Sequence, residues 1–265
     1  MLLAVLSLWL TSRASTAVAT ATVVIAYVAG VMHGLAAIWL VGLAAGAWSL
    51  RTARGWSRII AIGATCVLGL LLGLHRLPGF SNPVIIREAV FTPGALRYTQ
   101  YVNFDKTLAA VLLLGCSGWT PVRSIRECGH ALRHAAPWMP ATTAAVMLAS
   151  LALGFVIFEP HWSAAFAVWA TINLLTTCVS EEAFFRGLIQ RELPDGAGAV
   201  IVSAVLFGLA HVAGGWQYVL LATLAGAGYA IVYRLTARLE MAILTHFVLN
   251  AVHFLLFTYP ALRLA

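Results

Sequence analysis

The residues able to do chemistry are few and stand out against an apolar background. Glu181 and Glu182 interrupt an apolar run, Arg186 follows four residues after Glu182, and His211, His246, Asn250 and His253 lie in apolar segments further on. A carboxylate at mid-bilayer costs several kcal/mol, so an adjacent pair points to function. The competing reading ends a helix at Ser180 and leaves both glutamates at the membrane interface. Against it, the stretch SEEAFFRGLIQRELPDG has no breaker before Gly187 and no turn signal before Pro194-Asp195-Gly196, so one helix is expected from Trp162 to about Glu192.

Helical spacing assigns these residues roles. Glu182 and Arg186 are four apart, the distance at which a guanidinium neutralises a carboxylate on the same helix, which leaves Glu181 free to exchange protons. A second helix climbing back from Gly196 carries His211, and at ~1.5 Å per residue both Glu181 and His211 lie on the order of 20 Å from the turn. A water held between them would be activated as a nucleophile. His246, Asn250 and His253 fall at spacings of four and three, one face of a third helix, and the first two could donate hydrogen bonds to the oxyanion of an attacked carbonyl. His253 is read as either a supporting partner or a plain helix contact.

The elements that must position these groups are transmembrane helices. Hydrophobic residues make up 62% of the chain and charged residues 9%, and the mean hydropathy is +0.92, whereas a soluble domain is about one quarter charged. Apolar runs at about 14–31, 33–50, 57–75, 107–122, 138–158, 162–192, 197–213, 216–233 and 240–258 are each near spanning length. Lipid offers no partner to free backbone groups, so the expected fold is all-α, a polytopic bundle of about eight or nine spans. Residues 1–11 read as a short interfacial or partly inserted segment rather than a cleaved signal peptide.

Arginine placement orients the bundle. Arg13, the Arg51/Arg54/Arg58 group, Arg123/Arg126/Arg133, Arg191 and Arg234/Arg238 fall on one side if the nine runs alternate, and that side is expected to be cytoplasmic. The formal charge of +7 is spread between apolar runs, which suits topology and anionic lipid rather than nucleic acid. Cys66, Cys116, Cys128 and Cys178 show no CxxC spacing and read as small core residues. The mixed-charge segment 76–106 is long enough for a lid or docking loop, with an inert connector as the equal alternative.

Three patterns occur in order on successive polar-bearing segments: Glu181-Glu182-x-x-x-Arg186, Phe207-x-x-x-His211 and His246-x-x-x-Asn250. Together they resemble the motifs of the CPBP family, the CAAX-protease and bacteriocin-processing group of intramembrane endopeptidases. The resemblance covers roughly residues 138–258, within a catalytic membrane domain 107–265. Residues 1–106 then form an N-terminal extension of about three spans plus the long loop, acting in substrate choice or as scaffold.

The resemblance implies that Glu181 activates water, that His211 works with it, that Glu182 and Arg186 are structural, and that His246 and Asn250 stabilise the oxyanion. It further implies membrane-associated protein or peptide substrates, from prenylated tails to bacteriocin leaders, with no residue that selects among them. No cofactor is expected. Zinc held by Glu181, His211 and His246 is the metal-dependent alternative, although HExxH is absent. No GxGD motif is present, and the GxSx match in the 76–106 segment, Gly79-Phe80-Ser81-Asn82, lacks a clear partner base. Two other classes stay open: a proton- or ion-coupled transporter, and a non-catalytic membrane scaffold or immunity protein. Alanine, glycine and arginine usage suits a bacterium of high GC content, so the expected location is a bacterial inner membrane.

Overall fold

The computed structural model describes residues 1–10 and 12–263; the side chain of Arg13 lies outside the described part. Helix makes up 68% of the described residues, among which strand is confined to one two-stranded hairpin and a few isolated bridges. The all-α expectation holds. By length and composition, three helices among the described residues can cross a membrane: Gly55–Gly73, Val212–Thr236 and Leu239–Leu256. A fourth is reached if the bent pair Ile125–Ala135 and Trp138–Ala152, 41° apart, counts as one span. Ala14–Val28 and Trp138–Ala152 are each followed by a glycine in the left-handed region, Gly30 at φ 69° and Gly154 at φ 65°.

The chain divides into two compact units that interleave in sequence. Compactness therefore divides it differently from the family-based boundary at residue 106. The first unit comprises residues 1–83, 102–123 and 175–193. It holds α1 (Leu2–Ser7), α2 (Ser12–Val28), α3 (Ala36–Ser49), α4 (Gly55–Gly73) and α5 (Phe104–Cys116), with Leu40, Leu43, Leu72, Leu108 and Leu114 in its core. α4 is notched for the segment that carries the glutamates: a Cβ on Gly69 would stand 2.8 Å from the Phe184 ring. Only glycine lets the ring lie this close. At the end of that segment Glu192 pairs with Arg58 at 2.6 Å, and Arg58 also donates to the Leu50 carbonyl at 2.6 Å.

The second unit comprises residues 84–101, 124–174 and 194–263 of the described chain. It holds strands β1 (Val84–Ala89) and β2 (Tyr98–Tyr101), then α6 (Ile125–Ala135), α7 (Trp138–Ala152) and α8 (Phe166–Ile172). α6 opens with a capping Ser124, whose hydroxyl accepts from the Glu127 backbone at 3.1 Å; Glu127 is also ion-paired with Arg238. Later elements of the unit are α10 (Ala197–Leu209), α11 (Gly215–Thr236) and α12 (Leu239–Leu256). Small residues let these helices approach: a Cβ on Gly226 would meet Phe207 at 3.2 Å, and one on Gly228 would overlap Thr142 of α7.

The hairpin shows what most of the long 76–106 segment does. β1 and β2 pair antiparallel with Val84 opposite Tyr101, Ile86 opposite Gln100 and Ala89 opposite Tyr98. Ile86 is buried with Trp169, Phe254 and Tyr259, and Phe91 and Tyr98 pack against this cluster. Polar bonds secure it: Gln100 Nε2 donates to the Trp169 carbonyl at 3.2 Å, and Trp169 Nε1 donates to the Tyr259 hydroxyl at 3.0 Å. Burial pushes the Tyr259 phenol well above its ordinary range, so it remains a neutral hydrogen-bonding group. The segment is thus neither a free lid nor a featureless connector.

Candidate functional site

The glutamates lie on a helical run that changes pitch twice. α8 is followed by a π-helical turn at Asn173–Cys178, then by α9 (Val179–Phe184), then by a second π-helical turn at Phe185–Gln190. The boundary between the compact units passes between Leu174 and Leu175. Each π-turn adds a residue to its loop and rotates the residues after it, which is why such turns concentrate at functional sites. A uniform 3.6-residue period, as the sequence suggests, does not describe this segment.

In the first unit, Glu182 and Arg186 are both fully buried, and Arg186 Nη1 donates to Glu182 Oε1 at 3.1 Å. The spacing of four survives the start of the π-turn. Glu181 differs from expectation. Its Oε1 accepts from Lys106 Nζ at 3.3 Å, with the two side chains 19% and 13% exposed. The carboxylate expected to stand free is an ion-pair partner, because α5 packs beside α9 and brings in a cation from 75 positions away. One sequence signal pointed there: Lys106 is the only lysine in the chain.

In the second unit, α10 ends at Leu209, and His211 lies beyond it, leading into a short 3₁₀ turn at Val212–Gly214. Its Nδ1 is 2.7 Å from the Phe207 carbonyl, one of the last acceptors of α10. A carbonyl can only accept, so Nδ1 carries a proton, and in the neutral tautomer that fits this bond the lone pair lies on Nε2. The imidazole is held by Phe207, 4.7 Å away, and by the edge of Tyr218 at 5.1 Å. The helix exit, rather than a helical position, aims this residue.

His246 lies within α12 and is 4% exposed. It stacks on Tyr229 of α11 at 4.5 Å and 16°, and meets Phe207 edge-on at 5.7 Å. Both histidines therefore touch Phe207. One turn along α12, Asn250 Nδ2 donates to Asn173 Oδ1 at 3.2 Å. Asn173 opens the first π-turn, is itself buried, and was missed from sequence; a lone amide in an apolar run was its only signal. His253 turns elsewhere, donating from Nε2 to the Thr258 carbonyl at 3.2 Å with Tyr259 5.0 Å away.

Among the described residues, no group of three or more His, Cys, Asp or Glu side chains is arranged to hold a metal ion.

Residues 162–252 match the family model described as Type II CAAX prenyl endopeptidase Rce1-like. The match takes in Glu181, Glu182, Arg186, His211, His246 and Asn250, and leaves Lys106 outside. No curated protein and no solved structure matches the chain. The match spans about a third of the chain, over which it is similar to that endopeptidase family, and the apolar helices fit an integral membrane protein.

Proposed function

We propose, on the premise of a CAAX-protease segment at 162–252, that this chain hydrolyses peptide bonds of membrane-associated proteins with a water activated by Glu181 and His211. One observation carries the reading: the family match encloses the whole set of intramembrane polar residues that the sequence singles out for hydrolysis.

In this mechanism Glu181 takes one proton from the water, and His211 Nε2 accepts a hydrogen bond from the other hydrogen, which stays on the attacking oxygen. The oxygen attacks the scissile carbonyl, and a tetrahedral oxyanion forms. His246 and Asn250 donate to that oxyanion. An amide nitrogen has two hydrogens, so Asn250 can serve Asn173 and an oxyanion together. The proton held by Glu181 then passes to the leaving amine as the C–N bond breaks, which returns the carboxylate. Glu182 is tied to Arg186, and its role is to hold the segment. We further place the chain as a multi-pass protein of a bacterial inner membrane with about eight or nine crossings, some by short helices. Residues 1–106 form an extension that acts in substrate choice.

The test is cleavage of a library of membrane-tethered peptides by purified protein in nanodiscs, read by mass spectrometry. Wild type is compared with Glu181→Ala and His211→Ala, with and without chelator. The expected result is cleavage by wild type in chelator and by neither variant. Loss in chelator with rescue by zinc would replace the metal-free mechanism with a metalloprotease one. Undiminished cleavage by Glu181→Ala would overturn the site.

A further inference from the structure

The chain uses arginine fifteen times and lysine once. That lysine, Lys106, sits in the first turn of α5, where the positive end of the helix dipole disfavours a cation. Neighbouring Asp105 suits the position; Lys106 does not. A residue that conflicts with its local element is retained for something outside that element. What lies outside is the Glu181 carboxylate, 3.3 Å from Nζ.

The start of α5 is held by a network that would be elaborate for a plain helix end. Asp105 is almost fully buried, and its Oδ1 accepts from the Lys106 backbone N–H at 2.8 Å and from Asn82 Nδ2 at 3.1 Å. Its Oδ2 accepts from His75 Nδ1 at 2.6 Å. Asn82 Oδ1 in turn accepts from the Phe104 backbone N–H at 2.7 Å. His75 follows α4 with a left-handed backbone, φ 56°, a region where histidine is enriched among non-glycine residues. The network therefore joins the end of α4 to the first turn of α5 and bonds the backbone of Lys106 itself.

From the other side, Phe184, three residues after Glu181, fills the notch at Gly69 of α4. α4, α5 and the glutamate segment are thus tied pairwise within one compact unit.

We propose that Lys106 is a positioning residue for Glu181, and that Asp105, Asn82 and His75 form the clamp that keeps its ammonium on the carboxylate. This rests on Glu181 acting as the base. The ammonium balances a charge that the bilayer would otherwise penalise, and fixes Oε1 as the oxygen it engages. Lysine suits this because it offers a compact charge on a flexible stem, whereas the arginine fork would engage both oxygens. The family match begins at residue 162, so this device belongs to the part of the chain outside it.

Two measurements test the proposal. In the first, full-length protein in nanodiscs is treated with a hydrophobic carbodiimide, which activates carboxyl groups so that an adjacent amine displaces the reagent as its urea and forms an amide. With one lysine in the chain, a side-chain amine-to-carboxyl crosslink has one origin, and peptide mass identifies its partner. The wild type should give a Lys106–Glu181 product, reduced at least severalfold in Asp105→Ala. In the second, peptide cleavage by Lys106→Met should show kcat lowered about 10²-fold with KM within about twofold, and Lys106→Arg should recover part of that loss.

The absence of a Lys106–Glu181 product in the wild type, or Asp105→Ala with undiminished coupling, overturns the clamp. Wild-type kcat in Lys106→Met overturns the positioning role and leaves the endopeptidase reading standing. If the wild type cleaves no peptide, that reading falls and takes the positioning role with it, while coupling still decides the clamp.

Discussion

The two compact units hold their polar residues by different means. In the first, Glu181 and Glu182 are paired side chain to side chain with the cationic residues Lys106 and Arg186. In the second, His211, His246 and Asn250 are uncharged or able to be so, and are held by a helix-end carbonyl, an aromatic stack and a second amide. A buried charge stripped of its partner costs several kcal/mol, whereas a neutral group that loses one contact costs about one to three. The first unit should therefore be the more brittle under mutation, and substitutions in the second should affect activity more than folding.

The largest expected effect is on catalysis. Glu181→Gln keeps shape and removes the base, and should lower kcat by about 10²–10⁴-fold in the peptide assay while the protein stays folded. Next, Arg186→Met leaves Glu182 buried without its cation and should destabilise the protein by about 3–5 kcal/mol, read as a lower unfolding midpoint in detergent. The double change Glu182→Met with Arg186→Met should return most of that stability. If the double variant is no better than the single, the contrast between charged and neutral units fails.

In the second unit, Asn250→Ala should lower kcat by about 10²–10³-fold with little change in melting. Asn173→Ala should follow it with a smaller loss, since it removes only the acceptor that orients the amide. Equal losses would mean that Asn173 has a role of its own. The smallest effect tests packing alone: Gly228→Val forces a side chain into Thr142 and should cost about 1–3 kcal/mol of stability, measured by thermal unfolding.

Much of the site was legible because its logic is local. The Glu182–Arg186 pair and the shared face of His246 and Asn250 follow from helical spacing, which the structure keeps. Lys106 and Asn173 were not legible as partners, since each meets its counterpart across more than 70 positions. His211 was expected inside a helix and lies just past one, because α10 stops at Leu209 and the ring takes over a carbonyl that the helix leaves open. The π-turns on either side of α9 also escaped a reading built on one period. The hairpin within 84–101 depends on an aromatic cluster drawn from three separate stretches of chain.

The amino-acid sequence by itself determined that this is a helical membrane protein with a small set of polar residues too costly to be incidental. Hydropathy sums along the chain, and lipid leaves the backbone no choice but to bond to itself. Only the tertiary structure decided which partner each polar residue takes: a lysine for Glu181, a carbonyl for His211, an asparagine for Asn250. Partner choice depends on angstrom-scale approach between helices, and that approach is set by notches such as Gly69 and by where helices end.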